Sequence, residues 1–123
     1  MRQILFLLVS LCLLAPPVSA QDPVKVDSKH YRVEFENDQV RVLRIKYGPH
    51  EKSVMHEHPG AVAVFLSDHR GKFTLGDGTS VERTSKAGQT MWFPAERHLP
   101  ENLTDKPLEL VLVEMKGKPA AKK

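Results

Sequence analysis

Cysteine is nearly missing from this chain: a single one, Cys12, occurs in 123 residues and lies within the first twenty. From Gln21 onward no disulfide can form, and no thiolate is available as nucleophile or metal ligand. Long apolar runs are also lacking. The longest, Ile4 to Ala15, spans about 12 residues, against roughly 20 for a helix crossing hydrocarbon. Basic charge is scarce where a folded domain would use it. Arg2 and the four lysines of Lys116–Lys123 account for five of the 18 bases, so residues 21–115 hold 13 bases against 15 acids, net −2. A nucleic-acid-binding domain carries its basic residues on a folded face, so the composition argues against nucleic acid as a partner. Glycine (7) and proline (9) are too few for a collagen-like or low-complexity chain. The length suits one domain and leaves no room for a separate cofactor lobe.

What is present begins with an address. Met1 to Ala20 reads as a positive start at Arg2, the apolar run, helix-breaking Pro16-Pro17, and small residues ending at Ala20. These are the parts of a secretory signal cleaved after Ala20. Leu11 occupies the place before Cys12 where lipidation expects a small residue. The expectation is therefore an exported protein, periplasmic or extracellular, with no membrane attachment after cleavage. Residues 21–29 form a polar lead-in, and 116–123 (KGKPAAKK) a basic, disordered tail.

Between them, residues 30–115 follow a period of two. Tyr31, Val33 and Phe35 alternate before an Asn37-Asp38 turn, and Val40 to Tyr47 resumes the pattern. Ala61 to Leu66 is a short continuous apolar run, as a buried strand requires. Gly71–Leu75 and Thr79–Arg83 flank Gly76-Asp77-Gly78 as a hairpin. Thr90–Phe93 and Leu108–Met115 supply further strands, and no segment offers an amphipathic helix. The pattern predicts an all-β sandwich or barrel.

Six histidines are present: His30, His50, His56, His58, His69 and His98. In His56-Glu57-His58, residues i and i+2 share one face of a strand, so both imidazoles project together while Glu57 points away. Two such imidazoles can grip one transition metal. An isolated His-x-His beside Pro59-Gly60 also reads as two surface histidines at a turn. A second group, from Gly88 to Asn102, ends a strand at Pro94 and turns back through Glu96, Arg97 and His98. His50 and His69 fall in turn-like segments where exposure is expected. Of Met91 and Trp92, one should face the interior.

At these residues the sequence resembles the cupin superfamily. Gly88, Pro94, His98 and Asn102 match the spacing of its second motif, with Glu96 where a Gly usually stands. His56 and His58 match the His-x-His of the first, with Gly71 as its closing Gly and Gly48 slightly too far upstream. The resemblance implies a double-stranded β-helix, or jelly-roll, barrel that dimerises through edge strands. It implies a divalent transition metal (Fe, Mn, Ni, Zn or Cu) on His56, His58 and His98. The family's fourth ligand, a Glu, falls at Val62 or Ala63, and neither can bind metal.

Three neutral imidazoles would leave open coordination positions and an uncompensated charge that favours an anionic small molecule. Trp92, Glu96 and Arg97 are candidate substrate-binding residues, and Gly88, Pro94 and Asn102 candidate structural ones. Dioxygenase- or isomerase-type chemistry on a small anionic metabolite is one reading. A non-catalytic module that binds a small ligand or a metal is the other.

Overall fold

The computed structural model describes residues 21–117; the expected signal segment, 1–20, and the end of the tail, 118–123, lie outside the described residues. One helical turn, α1 (Pro23–Val26), precedes nine strands: β1 (Tyr31–Glu36), β2 (Val40–Tyr47), β3 (His56–His58), β4 (Ala61–Phe65), β5 (His69–Leu75), β6 (Ser80–Ser85), β7 (Thr90–Phe93), β8 (Glu96–Asn102) and β9 (Leu108–Met115). They form two antiparallel sheets, of order β1-β2-β9-β4-β7 and β3-β8-β5-β6. This is the all-β, double-stranded β-helix jelly roll that the sequence led us to expect.

Strand alternation places the core almost entirely on the five-stranded sheet. Leu43, Ile45 and Tyr47 of β2, Ala61, Ala63 and Phe65 of β4, and Leu108 and Leu112 of β9 point inward and pack with Tyr31. The inner face of the four-stranded sheet is different. It carries His56, His58, His69, Phe73, His98 and Asn102, all buried. A polar face opposite an apolar one is where a site can be built without sacrificing the whole core.

Turn chemistry fixes the registers. Gly78 (φ 86°) closes the β5–β6 hairpin, while the Asp77 carboxylate accepts from the Thr79 N–H and hydroxyl. Gly88, also at φ 86°, turns β6 into β7 and donates its N–H to Phe65 O; a side chain at that φ would be strained. Asn102 is buried and fully hydrogen-bonded. Its amide donates to Gly48 O and Lys106 O, and its carbonyl accepts from the Thr104 N–H and hydroxyl.

Three details differ from the sequence reading. His98 stands on strand β8, not on a turn. Pro100 is tolerated there because its carbonyl accepts from Ser53 N. In an antiparallel ladder the nitrogen of a residue faces the same side as its carbonyl, here beyond the end of β3, so no ladder donor is lost to β5. The polar lead-in contains α1: Asp22 caps the turn, Pro23 is buried, and Gln21 O accepts from Glu57 N. Lys116, read as the start of a disordered tail, bonds Glu36 and Asn37 through its ammonium. Of Met91 and Trp92, one was expected to face the interior, and it is Met91 that packs on the core, while Trp92 is 58% exposed.

Candidate metal centre

The register of β3 against β8 sets His56 directly opposite His98 and His58 opposite Glu96. Because i and i+2 share a face, the three imidazoles converge on the inner side of the four-stranded sheet. One ring nitrogen from each lies within 4.8 Å of the other two. Ring centroids stand 4.8, 5.0 and 5.3 Å apart, with the planes turned edge to face. All three are buried, His56 completely.

What holds each ring decides which nitrogen is free. His56 Nδ1 donates to Val54 O at 2.8 Å. His58 Nδ1 donates to Glu114 Oε2 at 2.6 Å, and His98 Nδ1 donates to Glu96 Oε2 at 2.6 Å. A carbonyl or carboxylate only accepts, so each Nδ1 carries the proton and each neutral ring keeps its lone pair on Nε2. This is the arrangement that metal-binding histidines use, with the second nitrogen tied to an acceptor that fixes tautomer and orientation. His56 Nε2 is fully buried and has no hydrogen-bond partner, an arrangement costly for a protein unless something else occupies it.

Burial keeps His56 and His98 neutral. Burial is the main cause that lowers His56 to about 3, and the neighbouring His58 and His98 add to it. Burial likewise takes His98 to about 4 against the opposing pull of Glu96. The carboxylates behind the rings stay ionised. Burial raises Glu114, but hydrogen bonds from His58 and Arg41 outweigh it and hold the carboxyl below its ordinary value. The Arg83 guanidinium does the same for Glu96. Arg41 Nε reaches Glu114 Oε1 at 2.6 Å and its Nη1 reaches Asp22 Oδ2 at 2.7 Å. Arg83 grips both oxygens of Glu96 at 2.8 and 3.0 Å and lies over the Phe73 ring.

An apolar cavity of about 60 Å³ adjoins the triad, walled by Ile45, Phe65, Phe73 and Phe93 and reached by His58, His98 and Glu96. Tyr31 and Tyr47 also line it, with their hydroxyls bonded to each other at 2.6 Å. At the fourth-ligand position, Ala63 points inward and is fully buried while Val62 is half-buried. No carboxylate enters the triad from there.

The remaining candidates separate. Glu96 belongs to the site, as the acceptor behind His98. Trp92 does not line the cavity; its ring packs against Gly60 on the outside of β4–β7. Arg97 also turns away, because it alternates with His98 on β8, and is exposed. Pro94 lines the cavity. His50 is an exposed loop residue paired with Asp105. His69, expected at the surface, is instead buried and lines the cavity.

Sequence reading missed Glu114. Its signal was there: on β9 it shares parity with Leu108, Leu110 and Leu112, so a charged residue stood on an apolar face and needed a partner. Arg41 has the same relation to Leu43, Ile45 and Tyr47. His30 is a further buried histidine, bonded to Asp27 and Glu51 and stacked on Tyr47 at 4.3 Å.

No family model and no curated protein matches the chain. Solved structures do. A cupin domain from Bordetella pertussis Tohama I is 22% identical with a TM-score of 0.66, over 71% of this chain and 92% of that one. A protein with a double-stranded β-helix domain from Klebsiella pneumoniae is 22% identical with a TM-score of 0.57, over 72% and 76%. A polyketide cyclase from Streptomyces resistomycificus is 17% identical with a TM-score of 0.53, over 72% and 66%. These likenesses establish the fold: the chain has the cupin fold.

Proposed function

From the cupin fold and the convergent imidazoles, we propose that this protein is an exported small cupin that holds one divalent transition metal (Fe, Mn, Ni, Zn or Cu) on the Nε2 atoms of His56, His58 and His98. In this reading it acts on a small anionic metabolite. The observation that carries the reading is the set of three Nδ1–H groups, each tied to an acceptor, with His56 Nε2 buried and unpartnered. A bound divalent ion would supply Lewis acidity and, if redox-active, dioxygenase chemistry, with isomerase-type chemistry open to the others.

The chain's own residues have defined tasks. Glu114 and Glu96 hold two of the rings in the ligating tautomer and place negative charge behind them, which the absent fourth carboxylate does not provide. Arg41 and Arg83 keep those carboxylates ionised. Phe65, Phe73 and Phe93 exclude water from the cavity beside the ligands. A second reading, a non-catalytic binding module, is favoured by one fact: Glu96, the cavity-lining carboxylate that shares the inward parity of His98 on β8, is locked to Arg83 and His98 and is not free to move a proton. Export through residues 1–20 and dimerisation through an edge strand belong to the proposal; β1, with Val33 and Phe35 exposed at one edge, suits the latter.

The test is metal analysis of the chain from Gln21 onward, purified without chelator, beside a variant with His56, His58 and His98 all changed to Ala. We expect about one transition metal per chain, lost in the variant. A protein that holds no metal, and whose melting temperature does not respond to added Fe, Mn, Ni, Zn or Cu, overturns the reading. Turnover abolished by His98→Ala would decide for the enzyme over the binding module.

A further inference from the structure

The described residues contain three buried polar side-chain atoms without a hydrogen-bond partner: His56 Nε2, His69 Nδ1 and Ser85 Oγ. The first belongs to the triad. The other two stand together elsewhere, because His69 and Ser85 face each other across β5 and β6. His69 is 8% exposed and lines the same cavity as His58 and His98. Phe73 lies between the two ends, its ring centroid 6.0 Å from His69 and 5.2 Å from His98.

The position of the His69 ring is built in. Along β5 the inward residues are His69, Gly71 and Phe73. The imidazole lies over Gly71, where an added Cβ would meet His69 Cε1 and Nε2 at 2.7 Å. Gly71 has no positive φ to explain it, so the glycine there makes room for this ring. Glu101 alternates with the inward Pro100 and Asn102 on β8, and the other polar groups at the cavity wall are engaged: Glu96 with Arg83, Asn102 with the turn, and the two tyrosine hydroxyls with each other. Burial, with Arg83 nearby, takes His69 down to about 4, so the ring is neutral and able to donate or accept.

We propose that His69 is a second recognition point of this cavity: it hydrogen-bonds the far end of a short-chain oxyacid whose carboxylate lies at the three-histidine end. The proposal rests on the metal-binding reading above and adds the substrate class. Size sets the class. A cavity of about 150 Å³ accommodates benzene, and this one has about 60 Å³. The walls are apolar between the two polar ends, which suits a two- or three-carbon body with an oxygen at each end.

Cobalt(II) serves as the probe metal because its visible absorption responds to a change of ligand, which separates the two readings. The cobalt-loaded protein is titrated with propionate, 3-hydroxypropionate and benzoate. We expect 3-hydroxypropionate to bind about tenfold more tightly than propionate, the worth of one well-placed hydrogen bond, and benzoate to leave the spectrum unchanged. In His69→Phe the two short acids should bind equally, with propionate affinity held within about twofold. His69→Gln, which keeps a hydrogen-bonding group, should retain part of the preference and replaces His69→Phe if that variant does not fold. An unaltered preference in His69→Phe overturns the proposal. So does a cobalt-loaded protein that responds to neither short acid, or to benzoate as strongly as to 3-hydroxypropionate. If no cobalt spectrum develops before any acid is added, the metal reading itself has failed and the proposal falls with it.

Discussion

The cavity has histidine at both ends, but the two ends are held differently. At the triad every imidazole has Nδ1 tied to an acceptor: a backbone carbonyl for His56, Glu114 for His58 and Glu96 for His98. At the other end His69 Nδ1 has no partner, and the ring is kept in place by packing over Gly71. Both ends are buried, and burial keeps His56, His98 and His69 neutral. The difference lies in what the second nitrogen meets, and it separates a candidate ligand from a candidate hydrogen-bonding group. An imidazole fixed by an acceptor at Nδ1 presents one aimed lone pair; one fixed by sterics alone can still choose its tautomer.

Removing the acceptors should break this contrast most strongly. For Glu114→Gln we expect metal affinity to fall 10- to 100-fold, as for other outer partners of metal-bound histidine. Stability should drop by roughly 3–5 kcal/mol, because Arg41 loses a buried partner. Glu96 is more exposed than Glu114, so Glu96→Gln should give the lower end of that affinity range and a loss of about 1–3 kcal/mol. Competition with a chromophoric chelator and denaturant unfolding measure both. Equal affinities in both variants and wild type would show that the carboxylates are structural only.

Acid should test what the two ends share. His56 lies near 3 and His98 and His69 near 4 when folded, from an ordinary value of 6.5. Between about pH 6.5 and 4 the unfolded chain therefore binds protons that the folded chain does not. Stability of the metal-free protein is fully present above 6.5 and is lost as the pH falls through that window. The fall should reach a few kcal/mol by pH 5 and be shallower in His69→Phe. Unfolding midpoints measured from pH 7.5 to 4.5 check it; a flat profile would mean that the rings are hydrated.

The smallest effect should come from Gly71→Ala. The new methyl must displace the His69 ring, at a cost of about 1–3 kcal/mol. Metal affinity should stay within about twofold of wild type, since the triad is untouched. A large loss of metal would show that the two ends are mechanically coupled, and would sharpen the comparison in the opposite direction.

Much of the architecture was legible in advance. Leu108–Met115, Val40–Tyr47 and Thr90–Phe93 are strands with the predicted bounds, because period-two alternation is a local property. The pairing of His56 with His58 was legible for the same reason, as both lie on one strand. His98 came within reach only through a family resemblance, and its segment, expected to turn back after Pro94, is strand β8; Pro100 fits there because its carbonyl accepts from Ser53 beyond the end of β3 and no ladder donor toward β5 is lost. Trp92 and Arg97 were expected at the substrate, but on their strands they have opposite parity to Met91 and His98, which sends both outward.

By itself, then, the sequence determined the strands, the turns at Gly78 and Gly88, and which residues could share a strand face, since each depends on neighbours in the chain. The tertiary structure decided what each histidine meets. Glu114 is 56 residues from His58, and nothing local links them; sheet packing makes them a pair. The same packing buries His69, which lies in a polar stretch that otherwise reads as surface. Burial and hydrogen-bond partners are properties of facing sheets, and no periodicity along one strand carries them.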